Sequence, residues 1–293
     1  MEFAFTPEQE ELRRQARSFL DANPDAPLAE LRELGWLGVS VPEERGGGGL
    51  SFVDEAILFE EAGRALYSGP FLTTAVVLPA LSEVDEQAWS VELDGLVPHL
   101  NQVDRVLRED MTAVPAEGET LATVDETRPL GRIEQVADSN YLEGSGSFEA
   151  VRLRLLAGLA AEAVGVAQKA LELGVAYVSE REQFGKKIGA YQAVSHPLAD
   201  TYVETELARS LAYWAAWCVA EEDERTPVAV AAAKSFCAET AVAACERSIQ
   251  VHGGIGFTWE HVLHRYYKRA QWIDAFGGHA AKQREVVAAA LLD

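Results

Sequence analysis

Three closely spaced glycines follow a glutamine in the segment SIQVHGGIGFTW, residues 248–259. The glutamine is Gln250, and the glycines are Gly253, Gly254 and Gly256. Glycine has no Cβ atom, so backbone N–H groups here could approach a diphosphate as they do in other anion-binding loops. The same glycines also suit the C-cap of one helix and a tight turn into the next. The residues alone leave both interpretations open.

A second segment, YVSEREQFGKKIGAYQ at residues 177–192, contains an arginine near the end of a helical stretch. The guanidinium of Arg181 suits a diphosphate because its planar fork donates two parallel hydrogen bonds. The alternative is a cation that interacts favourably with the C-terminal end of a helix dipole. Lys186 and Lys187, which follow, are interpreted as plain surface charge.

The net charge of −22 is placed unevenly along the 293 residues. Residues 1–150 hold 10 Arg, no Lys and 30 acidic residues, whereas residues 151–293 hold 15 basic and 17 acidic residues. Such an acidic chain repels phosphate backbones, so we expect no nucleic-acid partner, and any site for an anionic ligand belongs in the second half.

The three cysteines and the apolar segments point to a soluble cytoplasmic protein. Cys237 and Cys245 lie eight positions apart on one predicted helix, roughly 12 Å, which is too far for a disulfide. No spacing of Cys and His indicates a metal site, so we expect Cys218, Cys237 and Cys245 to be buried free thiols. The acidic N-terminal segment does not resemble a secretory signal, and no stretch was expected to reach the roughly 18 apolar residues needed to cross a membrane.

Helical elements must position the two glycine-containing segments. The chain begins with a helix after Thr6 and Pro7, a second helix that ends at Gly35, a third that starts at Ser51, and a buried helix over residues 71–82. Residues 148–182, 188–222, 227–252, 259–272 and 279–291 then predict an antiparallel helical bundle, whose alanine-rich third member allows close helix packing.

Between these helical parts, short alternating runs broken by Gly, Pro and Asp indicate weak strands. They include WSVELDG, RVLRED, LATVDET and RPLGRIEQV, and a hinge, EGSGSFE, follows them. The expected fold is therefore mainly α. We divide it into an N-terminal helical domain at residues 1–82, a reduced middle β segment at 83–147 and a C-terminal four-helix bundle at 148–293.

The segments around Arg181 and Gly253, with LRELGWLGVSVPEERGGGGLS near the N-terminus, resemble the acyl-CoA dehydrogenase family of flavoproteins. The resemblance covers roughly residues 1–82 and 148–293 and implies FAD as cofactor and an acyl-CoA substrate. In the family, the corresponding residues hold the adenylate and diphosphate end of FAD that is bound mainly by a neighbouring subunit. The resemblance assigns this role to Arg181, Phe184, Gln192, Gln250, Gly253 and Gly254.

A third segment, HRYYKRA, places four basic side chains at helical spacing. These are His264, Arg265, Lys268 and Arg269. One interpretation is a basic helical face that pairs with the acidic first half of the chain. The other is a surface that receives the anionic tail of coenzyme A.

The chain departs from the family at the catalytic base. The family removes the α-proton of an acyl thioester with a buried glutamate, whose pKa burial raises. Phe276 or Gly277 occupies the commonest position of that glutamate, and Leu155 occupies the alternative position. We expect neither Asp274 nor Glu162, the nearest acids, to replace it, so no catalytic residue is assigned.

The middle segment is also too short for the family's full flavin-binding β domain. Both losses make the chain similar to the shortened subunit of actinobacterial heteromeric acyl-CoA dehydrogenases, which form α2β2 heterotetramers and whose substrates include steroid-derived acyl-CoA esters. The resemblance implies a second dehydrogenase-like subunit that supplies the glutamate. Two alternatives are a non-catalytic scaffold and a self-sufficient homo-oligomer that uses an unusual base such as Asp274.

Overall fold

The computed structural model describes residues 4–134, 140–142 and 146–292. Its N-terminal part is helical, as the sequence predicts. Residues 143–145 of the expected hinge lie outside the described residues. The first helices are α1 (Pro7–Ala22), α2 (Leu28–Glu33), α3 (Phe52–Ala65) and α4 (Phe71–Val77).

Side-chain caps fix the starts of α1 and α3 as the sequence indicated. Thr6 Oγ1 accepts a hydrogen bond from the N–H of Gln9 at 3.2 Å, and the Gln9 side chain accepts one from the N–H of Thr6 at 3.1 Å. At α3, a carboxylate oxygen of Asp54 accepts from both the backbone N–H and the hydroxyl of Ser51. These bonds satisfy N–H groups that have no partner within the helix.

Seven short strands form two small sheets in the middle segment. They are β1 (Trp89–Val91), β2 (Val97–Pro98), β3 (Arg105–Leu107), β4 (Thr112–Pro115), β5 (Gly118–Leu121), β6 (Leu130–Ile133) and β7 (Asn140–Tyr141). One sheet has the order β1-β3-β4-β7, with β1 and β3 parallel, and the other has the order β2-β6-β5. Sequence patterns located β1, β3, β6 and the end of β5. They missed β2, β4 and β7, which have two to four residues and give no alternating signal.

The C-terminal half is a bundle built from α5 (Phe148–Glu180), α6 (Gln192–Ala220) and α7 (Thr226–His252), followed by α8 (Leu263–Ala275) and α9 (Ala280–Leu292). A hairpin of β8 (Glu182–Gln183) and β9 (Lys186–Lys187) connects α5 to α6. The mainly α fold is confirmed. Helix α6 starts four residues later than predicted because Ile188–Ala190 forms a 3-10 turn.

Small residues allow the helices of the bundle to approach one another. A Cβ atom at Gly165 of α5 would overlap the carbonyl oxygen of Glu60 in α3, and one at Gly63 of α3 would overlap the carbonyl oxygen of Glu162. All three cysteines are buried free thiols, as expected. Burial raises the pKa of the Cys237 and Cys245 thiols.

Helix α7 differs from one expectation of the sequence analysis. With the turn that follows it, α7 forms a stretch of 32 residues, 226–257, that is long and apolar enough to cross a membrane by length and composition. Alanine and valine supply this hydropathy, but they are interrupted by a few polar residues, so the sequence contains no unbroken apolar run of membrane-spanning length here. Within the protein, 67% of its most apolar 18-residue window is buried, which is typical of the core helix of a bundle.

Candidate functional site

A tight hairpin presents Arg181 and Phe184 to solvent. Gln183 pairs with Lys186, which leaves Phe184 and Gly185 as a two-residue turn with φ of 52° and 80°. A left-handed φ is uncommon for a bulky residue, and here it orients the phenyl ring outward with 93% of the residue exposed. Arg181 caps α5, and its carbonyl accepts a hydrogen bond from the N–H of Ile188 at 2.8 Å.

The guanidinium of Arg181 forms no ion pair with any residue that the structure describes. Most other arginines of this acidic chain do pair with a carboxylate, for example Arg247 with Glu204 at 2.6 Å. An exposed, unpaired guanidinium beside an exposed aromatic ring fits an anionic ligand that approaches from outside the subunit.

The three glycines of the second segment have different roles in the structure. Gly253 ends α7 with φ 63° and ψ −139°, a conformation that favours glycine, and its N–H bonds to the carbonyls of the preceding turn. A Cβ atom at Gly256 would lie 2.7 Å from the carbonyl oxygen of Ile249. The capping interpretation therefore accounts for Gly253 and Gly256.

Gly254 is not explained by contacts within the chain. A Cβ atom on it would meet no heavy atom within 4 Å, and its φ is not positive. The missing side chain leaves open space beside the backbone, and Gln250, one turn earlier, is exposed at the same site. Gly254 belongs to the 3-10 turn Gly253–Phe257 that follows α7, and backbone N–H groups of such a turn, with space beside them, fit a diphosphate.

The structure brings both segments to one end of the bundle. Tyr177 near the end of α5 stacks on His252 at the end of α7, with ring centroids 4.3 Å apart. The ring of His261 lies 4.4 Å from that of His252. Burial, and then His252, lower the pKa of His261. The first residue of α6 is Gln192, which is exposed beside the hairpin.

Two exposed apolar residues of the glycine turn were missed in the sequence analysis. Ile255 is 45% exposed and Phe257 is 75% exposed. Apolar residues within a turn that is expected to face solvent are the signal that could have identified them.

The positions that correspond to the catalytic glutamate are packed into the core. Phe276 is 5% exposed and stacks on Trp272 at 4.8 Å. Gly277 has φ 72°, and a Cβ atom there would lie 2.5 Å from Leu156 Cδ2. Leu155 is 1% exposed. None of these three residues carries a carboxylate, and Phe276 and Leu155 are buried.

Both nearby acids are engaged in structural contacts. The carboxylate of Asp274 accepts a hydrogen bond from the N–H of Ala280 at 3.2 Å at the start of α9, and it contacts His279 Nδ1 at 3.3 Å. Glu162 is 2% exposed and pairs with Arg128 and Arg269. The expectation that neither acts as a free base agrees with these contacts.

Arg269 pairs with the acidic first half of the chain, as one interpretation expected, but it does so through Asp125 inside the core and not on an exposed basic face. The residue is completely buried, and its guanidinium bonds to the carboxylates of Asp125 and Glu162, each at 2.5 Å. Burial raises the pKa of Asp125, but Arg269 and a hydrogen bond from Thr127 hold it below its usual value. Helical spacing alone groups Arg269 with its basic neighbours. In the structure the middle segment supplies its partners, Asp125 and Thr127.

Comparison with known proteins identifies the family. The model described as "Acyl-CoA dehydrogenase, N-terminal domain" matches residues 6–84, and "Acyl-CoA dehydrogenase, C-terminal domain" matches residues 154–292. The chain belongs to the acyl-CoA dehydrogenase family. FAD is the cofactor that this membership implies. Between the two matches, residues 85–153 contain the reduced middle segment.

The relatives within the acyl-CoA dehydrogenase family include several mycobacterial proteins. The chain is 38% identical to FadE34 of Mycobacterium tuberculosis over 92% of its own length, but it spans only 43% of the length of FadE34. It is 32% identical to IpdE2 of Mycolicibacterium smegmatis, with 89% of this chain and 86% of IpdE2 covered.

Solved structures show the same fold. A chain of the ChsE4–ChsE5 complex from Mycobacterium tuberculosis matches with a TM-score of 0.89 at 21% identity, over 100% of this chain and 99% of that one. A chain of the Tcur3481–Tcur3483 steroid ACAD matches with a TM-score of 0.84 at 24% identity, over 97% of both.

Proposed function

We propose that this chain is one subunit of a heteromeric acyl-CoA dehydrogenase, in which it holds the adenylate and diphosphate end of FAD. A dehydrogenase-like partner houses the flavin ring and supplies the catalytic glutamate. The observation that carries the proposal is a contrast within one molecule. The residues suited to a diphosphate are exposed and unpaired, whereas the positions of the base are buried and apolar.

The proposed reaction is the α,β-desaturation of an acyl-CoA. When bound, FAD would supply the acceptor for the hydride that leaves the β-carbon, and a carboxylate of the partner would take the α-proton. In this chain, Arg181 and the Gly254 backbone bind the diphosphate, and Gln192 and Gln250 orient the adenylate beside Phe184. Tcur3481–Tcur3483, which shares this fold, is a steroid ACAD, and this supports a steroid-derived acyl group as substrate.

A partner is supported by an apolar groove next to the hairpin. The groove has a volume of about 730 Å³ between α5 and α6. Among its lining residues, Val175, Tyr202 and Val203 are 45%, 57% and 54% exposed. Apolar surface of this kind is typical of a subunit interface. Both ChsE4–ChsE5 and Tcur3481–Tcur3483 consist of two unlike proteins, which supports an unlike partner for this chain. The proposed assembly is a tetramer with two copies of each subunit.

The test is co-expression of the chain with its partner and measurement of bound FAD. Arg181→Ala removes the charge-assisted hydrogen bonds to the diphosphate, so we expect flavin content to fall while the complex still assembles. Lys282→Ala removes an exposed cation on α9 outside the site and serves as the control. Full flavin content in the Arg181→Ala complex would favour the scaffold alternative.

A further inference from the structure

Three stacked or tilted rings connect the ends of helices close to the proposed FAD surface. Tyr177 lies in the last turn of α5, before Arg181, and its ring stacks on His252, the last residue of α7, at 4.3 Å. The ring of His252 also meets that of His261 at 4.4 Å, between the glycine turn, Gly253–Phe257, and the start of α8. The rings therefore join the helix end that carries Arg181 to both ends of the glycine turn.

The ring of His252 has a fixed orientation in this stack. The residue is buried, and its Nδ1 donates a hydrogen bond to the carbonyl oxygen of Ser248 at 2.7 Å. A carbonyl only accepts, so Nδ1 carries a proton. A Cβ atom added at Gly256 would lie 3.0 Å from His252 Cβ. The glycine turn therefore packs directly against this histidine.

The ring of His261 caps the helix that follows the turn. Its Nδ1 accepts a hydrogen bond at 3.3 Å from the N–H of Leu263, the first residue of α8. An Nδ1 that accepts is unprotonated, so this contact requires the neutral ring. A proton at Nδ1 would remove the bond and place a positive charge at the N-terminal end of a helix, where the helix dipole opposes it.

The surroundings of His261 also disfavour a positive charge. The titratable groups that act on its ring are His252 of α7 and His264 of α8, and Tyr177 of α5 contacts His252. Glu260, which precedes it, is exposed, and within the described residues no carboxylate forms an ion pair with His261. Burial, and then His252 and His264, lower the pKa of His261. The folded turn thus favours the neutral ring, and this contribution is complete above about pH 6.5, the ordinary pKa of histidine, and is lost as pH falls below it.

We propose that Tyr177, His252 and His261 are positioning residues for the diphosphate of FAD, and that they hold the glycine turn in its binding shape while both histidines keep their present hydrogen bonds. This inference rests on the proposed function, which assigns the diphosphate to Arg181 and to the Gly254 backbone. Those two groups come from the ends of different helices, and the ring stack is a contact that links these ends. The three rings act through Arg181 and the turn.

The rate of FAD release from the co-expressed complex on dilution, followed by flavin fluorescence, tests the role of the stack. An aromatic pair contributes an interaction equivalent to about a 2- to 10-fold change in an equilibrium, so Tyr177→Leu should release FAD about 2- to 10-fold faster at pH 7.5. The hydroxyl of Tyr177 makes no hydrogen bond within the described residues, so Tyr177→Phe should release FAD at the unmodified rate. Equal rates for these two variants would overturn the role of the stack.

The pH profile of the same rate tests the histidines. Between pH 7.5 and pH 5.5, FAD release from the unmodified complex should rise up to about tenfold, because a histidine with a pKa near 6.5 is about nine-tenths protonated at pH 5.5. His261→Asn keeps an acceptor for the N–H two residues on, but it cannot titrate, so it should lose most of this rise. His279→Asn changes an exposed histidine before α9 and should keep the full rise. A full rise in His261→Asn would overturn the role of the neutral ring.

Hydrogen exchange in the chain alone separates this inference from the proposed function. Mass spectrometry of a peptide over residues 253–263 requires neither FAD nor a partner, and exchange should be about 2- to 10-fold faster in Tyr177→Leu than in Tyr177→Phe. Circular dichroism melting of both variants distinguishes local opening of the turn from global unfolding. If Arg181→Ala leaves FAD content unchanged, the proposed function fails, and the exchange difference would still support the stack as the contact that holds the turn. If Arg181→Ala loses FAD but the ring variants release FAD and exchange like the unmodified chain, this inference alone is overturned.

Discussion

Replacing Gly254 by valine tests whether the open side of the glycine turn receives the diphosphate. A Cβ atom at this position meets no heavy atom within 4 Å, and the backbone is not in the left-handed region. Valine is also no worse than glycine in a helical turn. We therefore expect the free energy of unfolding to change by less than about 1 kcal/mol, which is roughly 2 °C in Tm for a chain of this size.

The same substitution should weaken FAD binding strongly. The three added carbons occupy the space through which backbone N–H groups reach the diphosphate. A hydrogen bond to a charged group contributes about 1.5–3 kcal/mol, so the loss of one such bond weakens binding roughly 10- to 100-fold. The assay is the release of FAD from the co-expressed complex on dilution, followed by flavin fluorescence, with Tm measured on the same samples.

Gly256→Ala provides the matched control, because its Cβ atom would lie 2.7 Å from the carbonyl oxygen of Ile249. That variant should lose thermal stability, whereas Gly254→Val should lose FAD. If the Gly254→Val complex binds FAD as tightly as the unmodified complex, the proposal that backbone N–H groups of this turn contact the diphosphate is refuted. A large decrease in Tm for Gly254→Val would show that the glycine serves the fold.

Three further substitutions test the packing that supports the site. Gly165→Ala should lower the free energy of unfolding by about 3 kcal/mol or more, because the added Cβ atom overlaps the carbonyl oxygen of Glu60. Urea unfolding measures this change, and a loss below about 1 kcal/mol would contradict the close helix contact. Burial lowers the pKa of Lys234 to about 8, so its protonated form destabilises the fold at neutral pH and this penalty fades as pH rises towards 10.5. Relative to Lys234→Met, the unmodified chain should therefore gain about 2 kcal/mol in unfolding free energy between pH 7 and pH 10, and a pH-independent difference would refute the shift. Arg269→Met leaves Arg128 as the cation beside the buried carboxylates and should lower the free energy of unfolding by about 3–5 kcal/mol. The same urea assay measures this loss, and an unchanged unfolding midpoint would contradict the paired arrangement.

The helices could be predicted from the sequence because their signals are local. Thr6 and Ser51 marked the starts of α1 and α3 through side chains that bond within three residues. Helix α7 of the bundle followed from its alanine-rich sequence and from Gly253, which ends it. Strands β2 and β7 and the buried position of Arg269 could not be predicted, because each depends on a partner far away in the sequence.

The candidate site could be predicted only as a set of residues. The motifs selected Arg181 and Gly254, but the geometry depends on how α5 and α7 end together in the bundle. Phe184 itself has a left-handed backbone conformation in the exposed turn. Bulky residues rarely adopt this conformation, so the sequence did not indicate it.

The flavin content of the chain, purified first alone and then with its partner, tests the division of the FAD site most directly. We predict no flavin absorbance for the chain alone and one bound FAD per pair of unlike subunits in the complex, because the middle segment, residues 83–147, is too short for the family's full flavin-binding β domain. Stoichiometric FAD in the isolated chain, together with oxidation of an acyl-CoA, would contradict the account.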